Sequence, residues 1–276
     1  MSIQLQLENV SVCNASCSFC PYPVVSKSRK LGNMSMGLYR KILDEVASID
    51  LITQICVTGL GEPLLDRFVV DRVGYAREKK PKVIIDLFTN GVYLTPEKFE
   101  ALKVAGISSI QVSLNAVNGE QHKEVMGLVG KFDLVCSNIT YALLHRDGVN
   151  VEVRAVMNGD DFTRTDGYDF YDRWGERGKG GHGALISEGN WASDNRTMRA
   201  FDPKEACWRA LSQIYVLWDG KVTTCCFDPE GKQVFGDLNV QTIREVYSSP
   251  GYVAFREAHD QNQADKYDIC AKCTRI

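Results

Sequence analysis

Apolar residues recur in two alternating patterns along the first two thirds of the chain. Short apolar runs typical of buried strands alternate with segments whose apolar residues have helical spacing. Strands are predicted at residues 3–12, 52–58, 83–88, 107–114, 149–157 and 184–187, and helices at residues 38–47, 66–79, 96–105, 132–145 and 168–177. Such alternation predicts an α/β fold with a parallel sheet, here a partial (β/α)6 barrel of the TIM type.

The pattern changes in the last third of the chain. Residues 178–183 are rich in glycine and residues 187–197 are polar, which predicts loops near a binding site and a domain boundary around residue 200. Further on, two apolar runs flank Asp219-Gly220, a strong signal for a two-residue hairpin. Two short helices are predicted at residues 241–248 and 251–259. We therefore expect a barrel domain of residues 1–200 and a small C-terminal domain of residues 201–276.

Composition and charge exclude some function classes. The 276 residues are 44% hydrophobic and 24% charged, with a net charge of −3. This balance gives no basic footprint for nucleic acid, so a nucleic-acid partner is not expected. No apolar run is long enough to span a membrane, and the first residues do not resemble a signal peptide. The sequence therefore predicts a cytoplasmic protein without a membrane partner.

Ten cysteines in such a chain indicate metal or redox chemistry rather than disulfides. Cys13, Cys17 and Cys20 follow the first predicted strand with C-x3-C-x2-C spacing. Three thiolates on one loop can hold three irons of a 4Fe–4S cluster, which normally has four thiolate ligands. The remaining iron would be open to another ligand, as an open position marks a catalytic zinc. On spacing alone, part of a zinc site or a group of buried thiols remains an alternative.

This loop, with Phe19 before its last cysteine, resembles the cysteine motif of the radical S-adenosylmethionine (radical SAM) superfamily. The resemblance covers nearly the whole chain. It implies that Cys13, Cys17 and Cys20 hold a 4Fe–4S cluster and that Phe19 lies near the SAM adenine. In that family the open iron binds the amino and carboxylate groups of SAM. An electron from the cluster then cleaves SAM to methionine and a 5′-deoxyadenosyl radical, which abstracts a substrate hydrogen.

Two further segments are similar to SAM-binding motifs of this family. Residues 58–64 resemble its Gly-Gly-Glu-Pro segment, with Leu60 in place of the first glycine and with Gly61, Glu62 and Pro63 matching. The resemblance implies that this segment binds the SAM amino group. Asn90 lies in a Thr-Asn-Gly triplet that matches the ending of the family's third strand. Each motif alone is weak, but together and in order they favour the family.

The fourth and fifth strands supply the remaining predicted SAM contacts. Ser113 and Asn115 lie where fourth-strand polar groups of the family meet the SAM ribose or carboxylate. Related sequences often have an arginine where this chain has Met126. Arg154, on the fifth predicted strand, is the substitute that we predict for the carboxylate partner.

A second group of cysteines lies in the C-terminal quarter. The spacing around Gly220 and the terminal C-x2-C resemble the twitch domain of radical SAM enzymes, which holds one auxiliary cluster. The resemblance implies a second, fully ligated 4Fe–4S cluster with the ligands Cys207, Cys225, Cys270 and Cys273. A zinc site with the same four thiolates is the alternative. Gly220 spacing favours Cys225 over the adjacent Cys226, whose side chain is expected to point the other way. Cys56 and Cys136 are expected in the core.

In size and cysteine spacing the chain is similar to family members that oxidise a carbohydrate or aminocyclitol hydroxyl to a ketone, the auxiliary cluster accepting an electron. The implied partners are a small sugar or aminocyclitol substrate and a flavodoxin- or ferredoxin-type electron donor. Modification of a ribosomal peptide and epimerisation are alternatives. A rival outside enzymes is an iron–sulfur electron carrier or a zinc scaffold.

Polar residues after the fifth strand and around the sixth are expected to line the substrate pocket. Arg154 is the best candidate to orient the substrate because it lies on a strand. His182, flanked by glycines, is the best candidate for a general base because histidine titrates near neutral pH. The other candidates are Asn158, Glu188, Asn190 and Trp191.

Overall fold

The computed structural model describes residues 2–157, 164–175, 184–188, 207–271 and 273. In this part of the chain nine strands form one sheet, in the order β6-β5-β4-β3-β2-β1-β7-β8-β9. The strands are β1 (Ile3–Leu7), β2 (Ile52–Val57), β3 (Ile84–Thr89), β4 (Ser109–Ser113), β5 (Asn150–Met157), β6 (Ala184–Glu188), β7 (Gln213–Val216), β8 (Lys221–Thr223) and β9 (Val234–Asp237).

Strands β1 to β6 are parallel and lie in sequential order, which is the strand arrangement of the predicted partial barrel. The helices are α1 (Tyr22–Ser28), α2 (Met36–Val46), α3 (Val69–Lys79), α4 (Pro96–Ala105), α5 (Gly119–Met126), α6 (Phe132–Leu144), α7 (Arg164–Trp174), α8 (Trp208–Ser212), α9 (Ile243–Tyr247), α10 (Pro250–Asp260) and α11 (Asp268–Ala271). None of the described helices is long and apolar enough to cross a membrane.

Local sequence explains where α4 begins and ends. Thr95 accepts a hydrogen bond from the backbone N–H of Lys98, and Pro96 occupies the first turn, where its missing N–H costs nothing. Gly106 ends the helix with a φ of 92°, a left-handed conformation that glycine adopts without strain. The sequence therefore predicted this helix with the observed bounds.

The two faces of the sheet differ in polarity. One face is apolar and packs against the helices in the main core, through residues such as Leu5, Ile55, Ile85, Ile110 and Val151. The other face, which we call the inner face, carries polar residues at paired positions, including Gln6, Gln54, Asp86, Gln111 and Glu152. A barrel whose inner face is polar has an interior suited to a polar ligand.

The strand predicted at residues 3–12 is shorter in the structure, because β1 ends at Leu7. Beyond it the chain turns out of the sheet, and Val10 pairs instead with Asn33 in an isolated bridge. The buried Glu8 carboxylate occupies the strand end and accepts hydrogen bonds from the backbone of Leu60 and Trp218. The apolar pattern therefore predicted too long a strand. The contacts of Glu8 at the strand end come from segments distant in the sequence and could not be read from that pattern.

The C-terminal hairpin is part of the main sheet. β7 pairs in parallel with β1, and β7 and β8 form an antiparallel hairpin that contains Asp219-Gly220, as predicted. The predicted two-residue loop is wrong, because residues 217–220 separate the two strands and the Gly220 N–H donates to the Leu217 carbonyl. Gly220 has a φ of 93°, a left-handed conformation that glycine adopts without strain. The predicted boundary near residue 200 lies outside the described residues, and the domain division stays a prediction.

Candidate active site

The three N-terminal cysteines lie on the loop between β1 and α1, at the carboxyl end of β1. Backbone N–H groups of Ala15 and Tyr22 point at the sulfurs of Cys13 and Cys20, at 3.4 Å and 3.5 Å. Burial raises the pKa of Cys13 to about 12 and that of Cys20 to about 11. Thiols this well shielded ionise when they ligate a metal, because a bound cation removes the proton outright.

The C-terminal end of α5 packs against the cysteine loop and is hydrogen-bonded to it. The backbone N–H groups of Ser16 and Ser18 donate to the carbonyls of Met126 and Val125, at 3.0 Å and 2.9 Å. Gly127 ends α5 with a φ of 67°, and a Cβ there would lie 2.0 Å from the Ser16 hydroxyl oxygen. Only glycine therefore lets α5 approach the cysteine loop. α5 was not predicted from the sequence, although Asn118, which caps its N-terminus, is a typical helix-start residue.

The carboxylate of Glu62 joins two of the predicted SAM-binding segments. It accepts hydrogen bonds from the Thr89 hydroxyl and the Asn90 N–H, both at 2.7 Å, and from the Leu64 N–H at 3.0 Å. Burial raises the pKa of Glu62 to about 7, and these hydrogen bonds oppose that rise. The Asn90 side chain in turn donates to Asn14 in the cysteine loop, at 2.8 Å. The three loops therefore form one hydrogen-bonded unit.

Gly61 lies where two backbones meet closely. A Cβ at this position would be 2.5 Å from the Val10 carbonyl oxygen and 2.6 Å from that of Val12. The adjacent Glu62 N–H donates to the Val12 carbonyl at 2.9 Å. The Gly-Glu-Pro segment is thus held against the base of the cysteine loop, where Pro63 begins a short 3-10 turn.

Asn115 and Met126 form a buried contact beside Cys17. The Asn115 side chain donates to the Met126 sulfur at 3.0 Å and accepts from the Val156 N–H at 2.8 Å. The Cys17 sulfur lies 3.5 Å from the Met126 sulfur. Where related sequences often carry arginine, this chain therefore packs a neutral thioether next to a predicted cluster ligand. Ser113 lies half-buried at the end of β4, and Phe19 is buried in the core.

Arg154 lies on the inner face of β5, in register with Ser113 on β4. Its guanidinium donates to the Glu152 carboxylate at 2.8 Å and 3.2 Å and lies over the ring of Phe88. An arginine held by a neighbouring carboxylate and an aromatic face has a fixed direction. His182, Asn158, Asn190 and Trp191 lie outside the described residues, and Glu188 is described only as the last residue of β6.

The four predicted auxiliary ligands line one cavity in the C-terminal part. This space is partly open to solvent and is bordered by Cys207, Cys225, Cys270 and Cys273, with mainly apolar neighbours such as Phe227, Phe255 and Ile269. Among the described residues, no three Cys, His, Asp or Glu side chains are placed to hold a single metal ion. A zinc ion draws its ligands to one point, whereas each iron of a 4Fe–4S cluster takes its own thiolate. The four thiolates around this space are therefore a donor set that fits a 4Fe–4S cluster.

Cys226 does not border this cavity, although it follows a predicted ligand. Cys226 is half-buried, and Arg209 donates a hydrogen bond to its thiol. Cys56 and Cys136 are both buried, at 1% and 5% exposure, as expected. Cys56 faces the inner side of the sheet, in register with Gln6 and Asp86, rather than the main core.

Comparison with known proteins agrees with this geometry. The radical SAM superfamily model matches residues 10–159, more than half of the chain. A SPASM model, described as an iron–sulfur cluster-binding domain, matches residues 207–274. The chain therefore belongs to the radical SAM superfamily and is an enzyme of that class. Its members use a 4Fe–4S cluster and SAM, and the C-terminal domain indicates an additional iron–sulfur cluster.

Similarity to individual proteins extends over the full length. The S-adenosyl-L-methionine-dependent 2-deoxy-scyllo-inosamine dehydrogenase of Niallia circulans is 25% identical over 272 residues, which cover 99% of this chain and 92% of that enzyme. The crystal structure of BtrN in complex with AdoMet and 2-DOIA covers the whole chain and 94% of its own, with a TM-score of 0.70 and 22% identity. Native anSMEcpe with bound AdoMet covers 93% of this chain and 84% of its own, with a TM-score of 0.72 and 16% identity.

Proposed function

We propose that this enzyme oxidises a secondary hydroxyl of an aminocyclitol, or of a related carbohydrate, to a ketone. The observation that carries the proposal is the similarity to the dehydrogenase from Niallia circulans across both halves of the chain. A relative that acts on a peptide, the PqqA peptide cyclase of Gluconobacter oxydans, matches only 43% of this chain. The polar inner face of the sheet also suits a hydroxylated ring better than an apolar ligand.

The proposal assigns a role to each predicted residue near the first cluster. Cys13, Cys17 and Cys20 would hold that cluster, and three protein ligands would leave it able to bind SAM. The surrounding residues shape the SAM site, namely Phe19, Gly61, Glu62, Pro63, Asn90, Ser113 and Asn115. The hydrogen bonds among these loops fix their relative positions before SAM arrives, so little ordering has to accompany binding. Once bound, the cluster and SAM supply the radical that abstracts a substrate hydrogen atom.

Oxidation to a ketone also removes a hydroxyl proton and a second electron. We assign the electron to the auxiliary cluster held by Cys207, Cys225, Cys270 and Cys273, whose thiols all border one cavity. Arg154, fixed by Glu152, orients the substrate hydroxyl. His182 remains our prediction for the base that takes the proton. Residues 1–200 would thus carry SAM chemistry and residues 201–276 the electron acceptor.

We further propose a flavodoxin or ferredoxin as the one-electron donor and the cytoplasm as the compartment. All ten cysteines are free of disulfides. Free thiols and exposed iron are stable in a reducing compartment, where small redox proteins supply single electrons.

The test is a reaction of the anaerobically reconstituted enzyme with SAM, dithionite and 2-deoxy-scyllo-inosamine. We expect 5′-deoxyadenosine together with a product two mass units lighter than the substrate, which is the loss of two hydrogens. The matched control is Cys17→Ser, which should form neither. Deoxyadenosine without a lighter product would contradict oxidation and favour a redox-neutral reaction such as epimerisation. No deoxyadenosine from the intact enzyme would contradict the SAM site.

A further inference from the structure

Three neighbouring strands place acceptor groups together on the inner face of the sheet. Asp86 on β3 is in register with Ser109 on β4, and Gln111, two residues further along β4, is in register with Glu152 on β5. Side chains two residues apart on a strand share a face. Asp86, Gln111 and Glu152 are therefore neighbours on the inner face, three residues that neither the SAM site nor the clusters use.

Acceptors outnumber donors in this group. Asp86 is 4% exposed and accepts from the Gln54 side chain, which is neutral. Gln111 is 8% exposed, and its side-chain oxygen accepts no hydrogen bond from the described part of the chain. Glu152 is already held by Arg154 and by Asn150. A buried acceptor without a donor costs free energy. Asp86 and Gln111 would therefore be stabilised by a hydrogen-bond donor from outside the chain.

The charges of the group show which kind of donor fits. Asp86 and Glu152 bring two carboxylates, and Arg154 brings one cation, which is committed to Glu152. Burial raises the pKa of Asp86 and the Glu152 charge adds to the rise, whereas the Gln54 hydrogen bond and the Arg154 charge lower it. The pKa is raised on balance, so these partners compensate the buried charge only in part. A ligand cation beside Asp86 would remove that penalty. A metal ion fits poorly, because no three acidic, His or Cys side chains among the described residues converge on a point.

We propose that Asp86 and Gln111 form a subsite that binds the ammonium group of the substrate. An alkylammonium offers three donors and one positive charge, which match one carboxylate and one amide oxygen. Phe88 is in register with Gln111 and lies between Asp86 and the carboxyl end of β3, where the SAM segments meet. The ammonium end of the ring would therefore lie deep in the barrel and its reacting hydroxyl nearer SAM. This inference rests on the proposed function and assigns residues to its amine.

The test compares the binding of two ligands to the holoenzyme with SAM and without reductant. One ligand is 2-deoxy-scyllo-inosamine, and the other is its analogue with a hydroxyl in place of the amine. Because charged hydrogen bonds are the strong ones, we expect the wild type to prefer the amine by about tenfold or more in calorimetry. Asp86→Asn should bring the ratio of the two affinities close to one, while the hydroxyl analogue binds about as before.

Controls keep the result interpretable. Asn has the shape of Asp and still accepts from Gln54, so the fold should be kept. Gln111→Leu removes the unpaired acceptor without changing charge and should reduce the ratio severalfold, which provides a second measurement if Asp86→Asn does not fold. Asp44→Asn removes an exposed carboxylate that pairs with Lys79 and should leave the ratio unchanged.

Failure of the subsite is distinguishable from failure of the proposed function. Three outcomes would overturn the subsite, whether or not a ketone forms. The wild type could bind both ligands with equal affinity, or it could bind neither. The ratio of the two affinities could also stay unchanged in both Asp86→Asn and Gln111→Leu. A preference for the amine that depends on Asp86, without ketone formation by the wild type, would support the subsite and contradict the oxidation.

Discussion

Arg29 forms a largely buried ion pair with Glu8, in which its two terminal nitrogens, Nη1 and Nη2, each donate to one carboxylate oxygen. Glu8 follows β1 and also accepts from the Trp218 N–H at 3.1 Å, whereas Arg29 ends α1 and also donates to the Pro229 carbonyl at 2.8 Å. The pair therefore connects the helix that follows the cysteine loop to the C-terminal hairpin. Substitution of either Glu8 or Arg29 should therefore destabilise both predicted cluster regions.

Glu8→Gln should lower the free energy of unfolding by about 3–5 kcal/mol, because it leaves the Arg29 guanidinium buried without its counter-charge. Urea denaturation, followed by tryptophan fluorescence, measures this change. Asp44→Asn, which breaks an exposed pair with Lys79, is the matched control and should have little effect. If Glu8→Gln were as mild as the control, the ion pair would contribute little to holding α1 against the C-terminal hairpin.

Glu62→Gln should weaken SAM binding partly by loosening the loops. The new amide has one acceptor oxygen where the carboxylate has two, so a donor among Thr89, Asn90 and Leu64 loses its partner. Thr89→Val separates the two roles, since it removes one donor but keeps the carboxylate. Equilibrium dialysis with SAM should show a tenfold or larger loss for Glu62→Gln, at about 1.4 kcal/mol per factor of ten, and a smaller loss for Thr89→Val. Equal losses would mean that Glu62 acts only through the loop.

Stability without SAM should fall as the pH rises from about 5 to about 7. Burial raises the pKa of Glu62 to about 7 from an ordinary value of 4.5. The unfolded chain therefore releases this proton at a lower pH than the folded protein does, and folding is penalised until the folded state also ionises. The wild type should lose about 2 kcal/mol more over this range than Glu62→Gln. Parallel pH profiles of the two proteins would show that the carboxyl group titrates normally.

Iron content should report the two clusters separately. The seven predicted ligands imply about eight irons per chain, and Cys270→Ser with Cys273→Ser should leave about four. That variant should still form deoxyadenosine but no ketone, because the second electron has no acceptor. Circular dichroism must show that it is folded, since metal binding contributes folding energy. Stoichiometric zinc with only four irons in the intact protein would contradict the second cluster.

The sequence by itself determined the order of strands β1 to β6 and the family. The alternation of apolar runs with helical spacing was enough for the six parallel strands, because strand and helix periods differ locally. The cysteine loop, Gly61 to Pro63 and Asn90 were found because each motif is contiguous and follows a strand. Carboxyl ends of parallel strands share one edge, so these motifs had to meet.

Only the tertiary structure decided how those motifs are joined. Glu62 was expected to face SAM, and its three protein donors could not be read from sequence because two come from a separate loop. The pairing of β7 with β1 and the ion pair between Glu8 and Arg29 likewise join segments far apart in the chain. The inner-face group of Asp86 and Gln111 depends on strand register, which is fixed by packing of the opposite, apolar face against the helices.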